Sequence, residues 1–152
     1  MPQPIKHGSD PDKVLFSTAI ATRWSDMDAD SRINNLIILR YTEEARMQWA
    51  ASLGLQEIAP DLMPVVAAIE GQFHLAISYP SVLTVEISCF HLGTSSLQLR
   101  FRIIDAQLSS SHYATAIATW VWVDKSTNKP TPMPRKLRDI CNGDVTQRHP
   151  DN

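Results

Sequence analysis

The spacing of apolar and polar positions changes period along the chain. Val14, Phe16, Thr18, Ile20, Thr22 and Trp24 alternate with smaller or polar residues, which predicts a strand over 14–24. From Asn35 to Leu53 there is neither Gly nor Pro, and Ile38, Tyr41, Ala45, Trp49 and Leu53 recur at helical spacing. Gly54 then supplies a stop, so the pattern predicts one long helix over 35–53. Its first turn, Leu36 to Leu39, is apolar nearly all round, which points to a helix wrapped by other elements.

After Pro60 and Pro64 the period becomes two and stays there. Val65, Ala67, Ile69, Gly71, Phe73, Leu75 and Ile77 form one alternating set, which Tyr79-Pro80 interrupts. Leu83, Val85, Ile87 and Cys89 form the next. Gly93-Thr94-Ser95-Ser96 reads as a hairpin turn into Leu97, Leu99, Phe101 and Ile103. A polar loop leads to a last strand over 112–124, where Ala114, Ala116 and Ala118 share a face with Trp120 and Trp122. A proline-rich loop precedes a short helix over 135–141. The predicted fold is α+β: an antiparallel sheet of about five strands wrapped around one long central helix. Residues 1–12 and 142–152 are expected to be flexible tails flanking a single domain over 13–141. A sheet of this kind leaves an edge strand, so assembly with a second copy is expected.

Composition narrows the class of function more than the fold. A length of 152 residues suits one domain with a core of its own, and 43% hydrophobic with 20% charged residues is ordinary for a soluble protein. A net charge of −2 argues against general nucleic-acid binding. The two cysteines, Cys89 and Cys141, have no metal-ligand or redox-motif spacing, so free thiols in a reducing compartment are expected. The five histidines, His7, His74, His91, His112 and His149, are scattered without metal spacing. No signal-peptide core and no apolar run of membrane-spanning length is present, so the expected location is cytoplasmic, with no membrane partner.

The candidate chemistry lies between the first strand and the helix. Asp26, Asp28 and Asp30 fall where the chain must turn, and Asn34 and Asn35 stand where the helix begins. Asp and Asn favour turns and caps, but three carboxylates spaced by two repel one another and cannot all cap one helix. This stretch resembles the acyl-CoA thioesterase branch of the hotdog-fold superfamily, the 4-hydroxybenzoyl-CoA thioesterase-like proteins. The run there is similar to Asp-x-Asp-x-x-Gly-His-Val-Asn-Asn, then apolar residues, a Tyr, and Glu-Glu-Ala-Arg. The chain has Asp26-Met-Asp28, Ser31-Arg32-Ile33-Asn34-Asn35 and Tyr41-Thr-Glu43-Glu44-Ala45-Arg46. Tyr79-Pro80, Gly93 to Ser96, Val123-Asp124, Lys129-Pro130 and Met133-Pro134 continue the likeness, which covers roughly Phe16 to Arg138.

The resemblance implies a hotdog fold and hydrolysis of an acyl thioester to free acid and coenzyme A. It implies Asp28 as the catalytic carboxylate, acting as nucleophile or through a water, with backbone N–H groups near Asn35 polarising the carbonyl. A helix N-terminus carries unsatisfied donors and partial positive charge, which suits an oxyanion. Asp26 is expected to brace the turn. Arg32, Asn34, Ile38, Glu44, Ser95, Ser96 and Arg135 are the expected substrate-binding residues. No metal and no resident cofactor is implied, because coenzyme A enters as part of the substrate. The implied partners are an acyl-CoA, with an acyl carrier protein as the alternative carrier, and further copies of the chain in a homodimer or homotetramer.

Two departures from the family run favour a second reading. Gly-His is replaced by Ser31-Arg32, and the Tyr after Asn-Asn by Ile38. Related plant acyl-carrier-protein thioesterases use an Asn and a His at the positions of Asp30 and Arg32, and Arg cannot act as a base. The alternative is a hotdog protein that binds acyl groups or assembles with partners without efficient hydrolysis. A hotdog dehydratase pairing a His with a carboxylate is a further rival, although its His-containing signatures are not evident.

Overall fold

The computed structural model describes residues 13–108 and 110–143. The expected tail at 1–12 and the part of the expected tail at 142–152 that follows Gly143, with His7 and His149, lie outside the described residues, whereas Asn142 ends a helix. Five strands make one antiparallel sheet: β1 (Val14–Ala21), β2 (Leu62–Phe73), β3 (Val82–Leu92), β4 (Ser96–Asp105) and β5 (His112–Asp124), in the spatial order β1-β3-β4-β5-β2. Helix α1 (Asn35–Ser52) precedes the short α2 (Leu55–Ile58), and α3 (Arg135–Asn142) closes the described chain. The architecture is α+β, as the alternation of period 3.6 with period two predicts.

The inward residues of the middle strands make the core. Val85 and Ile87 of β3, and Leu97, Leu99, Phe101 and Ile103 of β4, are fully buried. From β5 come Ala114, Ala116, Ala118, Trp120 and Trp122, all buried. Helix α1 lays Ile38, Tyr41, Thr42, Ala45, Arg46 and Trp49 against this surface. Its cover is one-sided, however. Leu36 is 74% exposed and Met47 54% exposed, so the apolar first turn is not enclosed within one protomer. Gly71 on β2 answers a close approach, because a Cβ there would lie 2.9 Å from Leu39 Cδ2.

Three boundaries differ from the sequence reading. The strand predicted over 14–24 ends at Ala21, because Thr22 turns its backbone and hydroxyl toward Ser81 and a short 3-10 turn follows over Trp24–Asp26. The strand predicted over 65–77 instead runs from Leu62 to Phe73 and includes Pro64. Pro64 is tolerated because β2 is an edge strand, where a missing N–H need not break a ladder. At its other end both His74 and Leu75 donate to the Tyr113 carbonyl, and the pairing stops. Residues 55–58 form α2, which the pattern did not announce. Gly54, at φ +63, ends α1 in the left-handed conformation that glycine adopts without steric cost.

The last helix fastens one end of the molecule. Arg138 Nη2 donates to the carbonyls of Gly93 and Thr94 at 2.6 and 2.9 Å, and Lys136 Nζ donates to that of Leu53 at 2.8 Å. The β3–β4 hairpin and the C-terminal end of α1 therefore share one end of the sheet. The turn carrying Asp28 occupies the other. No helix among the described residues is long and apolar enough to cross a membrane.

Candidate active site at the entrance of the first helix

The chain reaches α1 through a loop whose backbone is heavily bonded. Asp28 N–H donates to the Arg32 carbonyl at 2.7 Å, and Ser31 N–H donates to the Asp28 carbonyl at 3.1 Å. Met27 and Ile33 pair as an isolated bridge, and Ile33 N–H donates to the Ile77 carbonyl at 3.0 Å. Ser31 sits at φ +59, in the left-handed region. The glycine of the family run would stand there without strain. Its replacement by Ser31 is thus a backbone matter more than a chemical one.

The three carboxylates have different surroundings. Asp26 is half-buried, and its Oδ2 accepts from Tyr41 Oη at 2.5 Å and from Arg23 N–H at 3.0 Å, while its carbonyl accepts from Asn34 N–H. It ties the turn to the middle of α1. Burial and the adjacent Asp26 carboxylate hold the Tyr41 phenol well above its ordinary range, so Tyr41 is a donor at any working pH. Asp28 is exposed, and its Oδ1 accepts from Asp30 N–H at 2.8 Å and Arg32 N–H at 3.3 Å. Its Oδ2 makes no hydrogen bond among the described residues. One oxygen is held by the loop and the other is left unengaged by it. Asp30 is exposed, and its backbone N–H donates to Asp28.

Asn34 is the N-cap of α1. Its Oδ1 accepts from Leu36 N–H at 2.8 Å, and its carbonyl accepts from Ile38 N–H at 3.0 Å. Asn35 is the first residue of the helix and is exposed. The first-turn N–H groups that the cap does not take have no intrahelical partner and carry the positive end of the helix dipole. No acidic residue occupies this first turn to neutralise it. The arrangement offers a carboxylate oxygen and a set of backbone donors on one short length of chain.

Glu43 and Glu44 point about 100° apart around the helix, so they border different cavities. Glu44 lines a cavity of about 440 Å³ with Asp26, Arg23, Arg40 and Tyr41. Glu43 lines a second, of about 390 Å³, with Leu36, Leu39, Val66 and Ile69, and accepts from buried Arg46 at 3.3 Å. The Arg46 guanidinium lies 4.8 Å from the centroid of the Trp120 ring. Neither Arg46 nor Tyr41 is singled out for a site by sequence spacing. A contact spanning fifteen residues, or reaching from α1 to β5, leaves no local signature.

The remaining expected residues are dispersed. Arg32 is exposed and meets Asp28 through its backbone. Ile38, at 3% exposure, is a core residue and lines none of these cavities. Ser95 and Ser96 are half-buried in the β3–β4 hairpin, and Arg135, with 93% of its side chain exposed, lies 4.0 Å from Asp139 on α3. These three stand at the hairpin end. Strand β3 runs from one end to the other, and its length at about 3.3 Å per residue separates them from the Asp28 loop by roughly 30 Å within one protomer. Among the described residues no three His, Cys, Asp or Glu side chains are grouped to hold a metal.

Comparisons with known proteins place the chain in a family and a fold. Residues 22–140 match the model of the thioesterase-like superfamily. A candidate thioesterase of Pseudomonas aeruginosa is 32% identical, with 83% of this chain and 97% of that chain covered, at a TM-score of 0.78. A candidate acyl-CoA thioesterase of Xanthomonas campestris is 31% identical over 78% of this chain and all of the other, at a TM-score of 0.68. The 1,4-dihydroxy-2-naphthoyl-CoA thioesterase of Synechocystis shares the fold at 19% identity and a TM-score of 0.75, with 89% and 98% of the two chains covered. No curated protein sequence matches significantly. The matched residues include the Asp28 loop, the whole of α1 and all but the first strand, and the chain belongs to the thioesterase-like superfamily of hotdog proteins.

Proposed function

We propose that the protein hydrolyses an acyl-CoA thioester to the free acid and coenzyme A, with Asp28 as the catalytic carboxylate. The observation that carries this reading is the Asp28 carboxylate held by its own loop at the entrance of a capped helix. Asp28 either attacks the thioester carbonyl or takes a proton from a water that does. In both routes the carbonyl π electrons move to oxygen, and the N-terminal amides of α1 near Asn35 stabilise the oxyanion. Collapse reforms the carbonyl and expels the coenzyme A thiolate, which takes up a proton. The direct route requires water to release an acyl-Asp28 anhydride. Arg32, Asn34 and Glu44 border the acyl thioester in this reading. Coenzyme A comes and goes as part of the substrate, and an acyl carrier protein is the alternative carrier.

A dimer belongs to the proposal. Strand β2 is an edge strand of twelve residues, with Val65, Val66, Ile69 and Phe73 at 40–44% exposure. A long apolar edge is a template for pairing, and proteins without a partner there usually blunt it. Antiparallel pairing of two β2 strands inverts the protomers end to end. The partner's hairpin end then lies toward this protomer's Asp28 end, bringing Ser95, Ser96 and Arg135 of a second copy to the side where coenzyme A would lie. The joined sheets would also cover more of α1, making it the enclosed central helix of the sequence reading.

Free thiol release from short, long and aromatic acyl-CoAs tests the activity. Turnover with at least one class is expected; binding of coenzyme A without turnover of any class overturns the enzyme reading. That outcome would favour the second reading, an acyl-binding or assembly protein, which the replacement of Gly-His by Ser31-Arg32 motivates.

A further inference from the structure

Cys89 and Cys141 play no part in the Asp28 site, yet the fold brings them together. Cys89 is an inward residue of β3, in register with the buried Leu99 of β4, and is 7% exposed. Cys141 lies in the last turn of α3 and is 3% exposed. Helix α3 packs on β3, and both cysteines, present as thiols, belong to the same buried core cluster. Leu137, fully buried, and Arg138, which holds the Gly93 and Thr94 carbonyls, stand four and three residues before Cys141. Positions so spaced share one face of a helix, so this face meets the hairpin end of β3, where Cys89 stands four residues before Gly93.

The two side chains meet as a hydrogen-bonded pair, the Cys141 thiol donating to the Cys89 sulfur. That donation holds the Cys89 thiol below its ordinary range despite burial, while the same contact and burial push the Cys141 thiol up. Cys89 is therefore the thiol that ionises first, and the thiolate is the form that reacts. In a reducing compartment a disulfide is usually transient and serves catalysis or redox sensing. No catalytic group lies in this contact, which leaves the redox role.

We propose that Cys89 and Cys141 form a redox-responsive pair, which hydrogen peroxide converts to an intramolecular disulfide that ties α3 to β3. The Cys89 thiolate attacks one peroxide oxygen, the O–O bond breaks, and the departing hydroxide is protonated to water. Cys89 is then a sulfenic acid. The Cys141 sulfur attacks the Cys89 sulfur, the S–O bond breaks, and the hydroxyl leaves as a second water with the Cys141 proton. The two thiols lose two electrons and the peroxide gains them. Closing the bond draws the sulfurs to about 2.0 Å apart and closes a loop of about 50 residues, which restricts the unfolded chain. The tie acts where α3 already holds the hairpin through Arg138 and the end of α1 through Lys136. The inference does not depend on Asp28 or on any catalytic activity.

The test treats the reduced full chain with hydrogen peroxide, quenches with catalase, and then counts thiols in denaturant. The chain has two cysteines, so the expected result is loss of both thiols together and their return with dithiothreitol. Peptide mapping without reductant is expected to show the Cys89 and Cys141 peptides joined within one chain. The thermal midpoint of the oxidised protein is expected to rise by on the order of 10 °C, and to fall back on reduction. Cys89→Ala and Cys141→Ala are each expected to abolish the joined peptides and the rise. Both residues are buried, so the parent's own thiol count, peptide map and midpoint decide the matter if a variant fails to fold. Thiols that survive the peroxide, that are lost without a joined peptide, or that join two chains would overturn the proposal. So would a joined pair that leaves the midpoint unchanged or lower.

Discussion

Ser31 holds a left-handed backbone conformation, at φ +59, that a glycine would adopt without strain. Ser31→Gly is therefore expected to raise stability by up to about 1 kcal/mol, offset in part by the freer unfolded chain. Thermal unfolding checks it, and a lower midpoint would show that the Ser31 side chain contributes more than the strain costs. Ten positions on, Tyr41 donates to the Asp26 carboxylate, and Tyr41→Phe removes that bond while Arg23 N–H still donates. A loss of about 1.5 kcal/mol is expected, as for a half-buried hydrogen bond to a charged group. An unchanged midpoint would mean that Asp26 is held by its loop alone. At this scale the sequence resolved much: the family resemblance implied that Asp26 braces the turn, and the capping role of Asn34 follows from residue type and position. The tyrosine that holds Asp26 was hidden, because its pairing depends on how the loop folds back over the helix.

At the level of elements, the two periods located every strand and the long helix. Boundaries moved where tertiary bonds decided them, as when Thr22 left β1 for Ser81 and His74 ended β2 at Tyr113. Exposure was less legible than element type. The alternation of Val65, Ile69 and Phe73 marks a strand correctly, yet these side chains remain 40–44% exposed in one protomer. Periodicity reports that a face is apolar, and it cannot say which molecule covers it. If a second copy covers β2, Ile69→Lys places a charge in that interface and is expected to convert the dimer to monomer by size-exclusion chromatography with light scattering. A parent that is already monomeric, or a variant that stays dimeric, would remove β2 as the interface.

Across the whole molecule, charge on the outer face of the sheet sets one pH response. His112 lies 4.9 Å from His74, ring to ring, and bonds the Ala114 carbonyl and Thr115 hydroxyl. Partial burial, with smaller contributions from His74, Arg102 and Arg100, holds its basicity below the ordinary histidine range. A histidine so depressed binds its proton more readily in the unfolded chain, so stability falls as pH drops through about 6.5. His112→Gln is expected to flatten the dependence of the unfolding midpoint between about pH 7 and pH 5, and an unaltered slope would assign the loss to other groups. The fold, with its two distinct ends, was largely legible from the order of the elements. The distance between Asp28 and the trio Ser95, Ser96 and Arg135 was not, because residues of one family signature need not meet within one protomer. The central claim rests on Asp28, the exposed carboxylate that its own loop holds before the helix. Asp28→Asn keeps an oxygen for the Asp30 and Arg32 N–H groups and removes the charge, so it isolates chemistry from loop structure. The decisive measurement is free thiol release from the best acyl-CoA substrate by parent and Asp28→Asn proteins of matched thermal midpoint. A fall in kcat of at least about 100-fold is predicted, whereas retention of parental turnover would contradict catalysis by Asp28.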